Sequence, residues 1–369
     1  MAEPFKNMYT RELIGKLATE IKSVYDAFLA DEFIQFIMDE TWVNLELKAR
    51  TNKIAAGLRK YLPQDYKAAI AIIDKVIVNY GTWLEGFGFF FTTFVELYGV
   101  EEGDWDTSID AMARYTRYAS AEFAVRPFII NHQDRMMAQM FEWSKNECAH
   151  IRRLSSEGCR PLLPWGQVLV NLKNDPSPIL PILEQLQADP DLYVRKSVAN
   201  NLNDISKNHP DLVAKIAKDW YGKVEFTNWI VKHGCRTLLK KGNRDVLAIF
   251  GLDDAESVQV GNLALTQKSI SIGETITVSF TIQAKKDVKT RLEYAVDYVK
   301  ANGKRSRKIF QISEISLKEG ESKNYTRKHS LADVSVRKHY AGTHSITLIV
   351  NGTERGTVDF ELMSQENVS

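Results

Sequence analysis

The apolar residues change their period near residue 254, and no other feature constrains the fold of this chain as much. From about Thr10 to Phe250 the spacing is helical. Leu13, Leu17, Ile21 and Tyr25 recur at steps of four, and Ile70, Ile72, Ile73, Val76 and Ile77 repeat the theme, as one buried helix face requires. Leu62-Pro63, Asp175-Pro176, Asp189-Pro190 and His209-Pro210 cut this run into short helices, because proline has no N–H for the helical ladder and restricts the residue before it. After Asp253-Asp254 the spacing shortens. Residues 258–265, 271–282, 289–299, 308–312, 344–350 and 357–362 alternate apolar with polar or are β-branched, and Gly273, Asn302-Gly303, Glu319-Gly320 and Asn351-Gly352 separate them.

Two domains are therefore expected: a mainly α domain over residues 1–254 and an all-β domain over residues 255–369. About seven short strands in the second segment suit an immunoglobulin-like sandwich, and with no cysteine there it must be held by its core alone. In the first segment, His150-Ile151-Arg152-Arg153 matches Tyr193-Val194-Arg195-Lys196 at an offset of 43, and Ile230-Val231-Lys232 matches again further on. An Asp-Pro turn, Val-Arg and then a helical apolar pattern resembles a HEAT repeat, so the expected form is a HEAT-like solenoid. Arg195 is read as structural, pairing with an aspartate of the repeat ladder.

Composition narrows the class. Hydrophobic residues at 44% and aromatics at 10% can bury a core, which excludes a mainly disordered chain. Cys148, Cys159 and Cys235 lie far apart with no CxxC pair, which fits thiols of a reducing cytoplasm better than disulfides or a zinc site. The opening MAEPFKNMYTREL lacks the apolar core of a signal peptide, and no apolar run is long enough to span a membrane. A cytoplasmic monomer is expected, with no metal and no cofactor. Phosphate-binding GxxxxGK[ST], GxGxxG, HExxH and GxSxG patterns are missing, which disfavours nucleotide, zinc-hydrolase and serine-hydrolase chemistry.

The net charge of +1 conceals an asymmetry. Residues 1–150 hold 16 Lys and Arg against 22 Asp and Glu, residues 151–254 hold 15 against 12, and residues 255–369 hold 17 against 13. A polyanion is thus expected on the later segments. Arg153, Glu157 and Arg160 lie at i, i+4 and i+7; Lys196, Asn200, Asp204 and Lys207 form a second stripe, and Lys232, Arg236 and Lys240 a third. With Arg153 and Lys196 equivalent in the repeat, the stripes are expected side by side, a cationic track for phosphates. Glu157 and Asp204 interrupt it. Spacing alone leaves open that each carboxylate merely pairs with a neighbour on its helix, as Glu157 could with Arg153.

Here the residues carry a resemblance. The run from Arg152-Arg153-Leu154-Ser155-Ser156-Glu157 through Gly158-Cys159-Arg160-Pro161-Leu162-Leu163-Pro164-Trp165-Gly166, followed by Ser197-Val198-Ala199-Asn200-Asn201-Leu202-Asn203-Asp204-Ile205-Ser206-Lys207, resembles the HEAT-like-repeat alkylpurine DNA glycosylases. The match is to the AlkC branch, one subgroup of which adds an immunoglobulin-like domain after the solenoid. The resemblance implies excision of cationic alkylated bases, 3-methyladenine chiefly and 3-methylcytosine in this branch, from double-stranded DNA without flipping the base into a deep pocket. It implies Glu157 and Asp204 for oxocarbenium stabilisation and water activation, Trp165 stacking on the lesion nucleotide, and Glu122 as a further active-site carboxylate. Arg153, Lys196, Asn201, Lys207, Arg236, Lys240 and Lys241 are the expected DNA contacts. No lysine is placed as a Schiff-base nucleophile, so a monofunctional enzyme without strand cleavage is expected. Without the resemblance, Glu122 reads equally as a solvent-facing acid and Trp165 as a core aromatic, and the chain as a non-catalytic HEAT scaffold.

Overall fold

A computed structural model describes residues 4–80, 88–334 and 337–364. Among these residues, helices succeed one another from Arg11–Val24 to Arg244–Ile249 and strands follow from Val258 to Met363. No helix among the described residues is long and apolar enough to cross a membrane. The chain forms two compact units. One is Met1–Pro210 with Gly222–Gly234; the other is Asp211–Tyr221 with Cys235–Ser369.

In the first unit, the helix Leu192–Ile205 lies against both Ala149–Gly158 and Glu225–Gly234. Asp191 starts it by accepting the Tyr193 N–H at 2.8 Å, which satisfies one of the donors a helix leaves orphaned at its N-terminus. Val194, Ser197, Val198, Asn201, Leu202 and Ile205 are all buried, the i, i+3, i+4, i+7 pattern of a helix wedged between two others. The 43-residue repeat is visible atom by atom. Arg152 Nη1 donates to the carbonyls of Asn146 and Glu147 at 2.9 and 2.8 Å, and Arg195 Nη1 donates to those of Asp189 and Pro190 at 2.8 and 2.7 Å. Each arginine thus closes the turn five and six residues before it. Their other arms differ. Arg152 forms a bidentate pair with Asp189 of the following repeat at 2.6 and 3.1 Å, whereas Arg195 lies 4.1 Å over the ring of Phe226. The aspartate pairing expected for Arg195 is therefore made by Arg152, since the chain supplies Phe226 to Arg195 instead.

In the second unit, strands β1 (Val258–Leu265), β2 (Ser269–Ser271), β3 (Thr275–Ala284), β4 (Val288–Val299), β5 (Arg305–Leu317), β6 (Ser322–Ser330), β7 (Gly342–Val350) and β8 (Thr353–Met363) form two sheets, ordered β1-β3-β6 and β2-β8-β7-β4-β5. All pairs are antiparallel except β2 with β8. Ile276, Val278, Phe280 and Ile282 of β3 share one core with Leu292, Tyr294, Val296 and Tyr298 of β4 and Ile346, Leu348 and Val350 of β7, the period-two burial of a sandwich. The immunoglobulin-like fold is the one expected. β6 escapes the apolar pattern: its Lys323, Arg327 and Lys328 are exposed, as on an edge strand, where charge discourages further pairing. The last helices pack here too. Gly242 and Gly352 take φ of 67° and 74°, and a Cβ on Gly242 would come within 2.8 Å of the Gly352 carbonyl oxygen, so both positions require glycine.

Candidate active site

The helix Ala149–Gly158 buries Ile151 and Leu154, and one further turn places Glu157 on the same buried side. On Leu192–Ile205, Asp204 follows the buried Asn201 by three residues and is itself buried. Two carboxylates are thereby carried into a low-dielectric interior, where an ionised acid must be paired. Arg160 supplies the pair: Nε donates to Asp204 Oδ2 at 2.8 Å and Nη1 to Glu157 Oε1 at 2.6 Å. Lys207 Nζ approaches Asp204 Oδ1 at 2.9 Å, with two-fifths of its side chain still exposed. On the other side, Arg153 reaches Glu157 Oε1 at 3.5 Å, Glu122 Oε2 at 2.5 Å and Ser120 Oγ at 2.6 Å. The Ser120 hydroxyl also donates to Glu122 at 2.7 Å. Three carboxylates and three cations from three segments thus form one continuous chain, Glu122–Arg153–Glu157–Arg160–Asp204–Lys207. Burial pulls the Arg153 and Arg160 guanidinium groups down, but the neighbouring carboxylates outweigh it and hold both above the ordinary arginine value.

Two expectations meet at this chain of charges. Glu157 and Asp204 do come together, with Glu122 at one end. Yet every carboxylate has a cation, and Arg153 and Arg160 are turned inward onto them, so the continuous phosphate track expected from the stripes is not what these two arginines form. Arg160 in fact lies beyond the C-terminus of the helix, after Cys159, and reaches back. The Lys232–Arg236–Lys240 stripe is also interrupted: its helix ends at Gly234 and a new one begins at Arg236. Lys232 belongs to the first compact unit, and Arg236, Lys240 and Lys241 belong to the second. Lys196 is exposed, as a phosphate contact needs. Asn201 is not: it is 0% exposed, and its amide donates to the Ser156 carbonyl at 2.8 Å. That corrects its expected role on DNA to one of locking two helices together.

Trp165 is 80% exposed with φ 63°, so it is no core aromatic; its backbone occupies the left-handed region that few side chains adopt. The turn that holds it is tied by Arg126, which spacing did not single out. This arginine is fully buried, and it donates to the carbonyls of Gly158 at 3.0 Å, Arg160 at 3.1 Å and Gln167 at 2.6 Å. It therefore clamps both ends of the segment that carries Arg160 and Trp165. Burial pushes its guanidinium down to about 10, still charged at neutral pH. A lone charge inside Val125-Arg126-Pro127-Phe128-Ile129 was the available signal. Gly158 is also required: a Cβ there would lie 2.5 Å from Val125 Cγ2, forcing apart the helices that carry Arg126 and Glu157. Tyr193, 4.8 Å under Arg153, completes the rim. The Cys159 thiol, pushed up to about 12 by burial, is no nucleophile.

Such a site has carboxylates fixed by buried cations, an aromatic face beside them and a partly exposed lysine at its edge. It can stabilise positive charge and hold a water molecule. Residues 105–238 match the family model described as DNA alkylation repair enzyme, and residues 259–364 match the one described as Uncharacterised protein YhaZ, C-terminal Ig-like domain. The protein YhaZ of Bacillus subtilis (strain 168) is 45% identical over 358 residues, covering 97% of this chain and 99% of the relative. The alkylpurine DNA glycosylase AlkC of Pseudomonas fluorescens, solved bound to DNA containing an abasic site analog, superposes with a TM-score of 0.93 at 34% identity, over 98% of this chain and 100% of that one.

Proposed function

Because this chain belongs to the HEAT-like-repeat alkylpurine DNA glycosylases, in the AlkC branch with a C-terminal immunoglobulin-like domain, we propose that it hydrolyses the N-glycosidic bond of cationic alkylated bases in duplex DNA. The substrates are 3-methyladenine and 3-methylcytosine. The observation that carries this reading is the buried pairing of Glu157 and Asp204 through one guanidinium, within the Glu122–Lys207 chain of charges.

A base alkylated at N3 is already positively charged, so it leaves without a general acid. The barrier is the positive charge that develops on the deoxyribose. Carboxylates already desolvated and oriented stabilise that charge without reorganisation. Asp204 orients and deprotonates the water that attacks C1′, while Glu157 and Glu122 stabilise the cationic sugar. Lys207 is the partner of Asp204 with reach into solvent, and a DNA phosphate drawing it outward frees Asp204 Oδ1 for that water. Trp165 lays its indole against the lesion nucleotide, and cation–π attraction contributes about 0.5–2 kcal/mol. The base is not flipped into a deep pocket. No lysine forms a Schiff base, so the product is an abasic site with the strand intact. Lys196 and Lys207 contact phosphates, as do Arg236, Lys240 and Lys241, and the sandwich adds charge of its own. The protein acts as a monomer.

The charge balance of the cluster favours one competing reading, a DNA-binding HEAT scaffold in which the carboxylates only hold helices together. Release of free base from methylated duplex DNA, resolved by chromatography, separates the two. Time-dependent 3-methyladenine release that disappears in Asp204→Asn supports the glycosylase; duplex binding with no release of any methylated base leaves the scaffold.

A further inference from the structure

Beside the chain of charges is a cavity of about 630 Å3 that the chemistry above does not use. Phe5, Leu47, Phe89, Phe123 and Trp165 line it, with Lys6, Glu46, Lys48 and Glu96 at its edge. Two features tie it to the reacting centre: Phe123 of its lining follows Glu122 directly in the chain, and Trp165, proposed above to stack on the lesion nucleotide, lines it too. Two further features describe its ligand. Aromatic surface is left bare to water, with Phe5 68% exposed, although large rings are ordinarily covered. And every charge at the edge is matched, Lys6 with Glu46 at 2.6 Å and Lys48 with Glu96 at 3.4 Å. The cavity offers flat apolar faces and little net field, which suits a neutral planar heteroaromatic better than an ion.

Such a molecule arises next door. When the C1′–N bond breaks, its electron pair passes to the base, whose positive charge is thereby cancelled. The oxygen of water bonds to C1′, and the proton of that water leaves through the carboxylate. The cationic base thus becomes neutral as it is released. We propose that this cavity is a product subsite that receives the freed, neutral base and lays it against the aromatic wall of Phe89, Phe123 and Trp165. This rests on the glycosylase reading for its ligand, but binding is measurable apart from catalysis.

The full-length protein, without DNA, is titrated with free 3-methyladenine by equilibrium dialysis, with excision from methylated duplex assayed in parallel. Saturable binding is expected, weakened at least tenfold in Phe89→Ala and in Phe5→Ala. The second variant removes a ring that is mostly exposed and so leaves folding intact, and free base should inhibit excision by the parent but not by Phe5→Ala. An active glycosylase that binds no free base overturns the subsite alone. Binding unchanged in both variants also overturns it. Binding that depends on both rings in a protein without excision activity upholds the cavity and sinks the glycosylase reading instead.

Discussion

Arg160 Nε stands 2.8 Å from Asp204 Oδ2 although 44 residues separate them, and the other arm of the same guanidinium holds Glu157 at 2.6 Å. One side chain thus fixes the distance between two acids on two helices. Replacing Asp204 by Asn keeps the shape and removes one negative charge, leaving Arg160 and Lys207 in excess. Base release is expected to fall at least ~100-fold, the scale of losing one electrostatic stabiliser in a preorganised site. Duplex affinity, measured by fluorescence anisotropy, should hold or rise. A parallel loss of affinity and thermal stability would assign Asp204 a structural role.

Trp165 sits in the left-handed region while exposing most of its indole. Asn tolerates that backbone far better. Trp165→Asn should therefore be neutral or up to about 1 kcal/mol more stable by denaturant unfolding, while base release drops roughly tenfold with the loss of a cation–π partner. A drop in both would mean the indole is needed by the fold.

Arg126 satisfies three carbonyls from the interior. Arg126→Met leaves those acceptors buried and empty, at about 1–3 kcal/mol for each that water cannot reach. Melting should move down by several degrees and excision should fall with it. Arg126→Lys, which keeps the charge but cannot span three acceptors, should recover only part of the stability.

His329 lies between Tyr294 and Tyr298, with rings and Arg337 around it. Burial, then the Arg337 charge and His339, push its imidazole down from the ordinary 6.5 to about 4. The folded state therefore binds the proton more weakly than the unfolded chain. Its contribution is complete above pH ~6.5 and is lost as pH falls towards 4, by about 3 kcal/mol over that window. Thermal unfolding between pH 7.5 and 4 should show this slope, and His329→Gln should flatten it. An identical slope in that variant would assign the acid sensitivity to other groups.

Arg337 and burial depress the Lys308 ammonium, with Lys300 adding to them, so cations crowd this part of the sandwich with excess positive potential. Lys300, Lys304 and Lys308 changed together to Gln should weaken duplex binding and reduce the salt slope by up to ~0.9 for each phosphate these lysines neutralise. An unchanged slope would remove the sandwich from the DNA interface.

Legibility in the sequence followed the physics of each part. The change of period, the 43-residue repeat and the alternation of β3 are consequences of burying one face, so they are written in apolar spacing, whereas β4 and β7 are buried on both faces. β6 is less legible, because most of its side chains meet water while Tyr325 and His329 turn to the core. Glu157 and Asp204 were legible as odd residues in a cationic pattern, but their pairing through Arg160 was not. That side chain reaches back from beyond the helix end, and the closeness of the two helices is set by Ser156, which meets Ser197 and Asn201. Arg126 illustrates the opposite failure: a buried arginine inside an apolar run looks like an exception until its three carbonyl partners are seen.

The positive-φ glycines at 242 and 352 carry a last consequence. The helices around residues 236–250 are continuous in sequence with the solenoid, yet they are seated on the sandwich at an approach too tight for any side chain. Amide hydrogen exchange should reveal a cooperative boundary that ignores the change from helix to strand, with residues 236–250 losing protection together with β7 and β8. A fragment cut where the secondary structure switches would strand those helices without the surface that orders them. A cut near Cys235 keeps those helices with the sandwich but still parts it from Asp211–Tyr221, which groups with it.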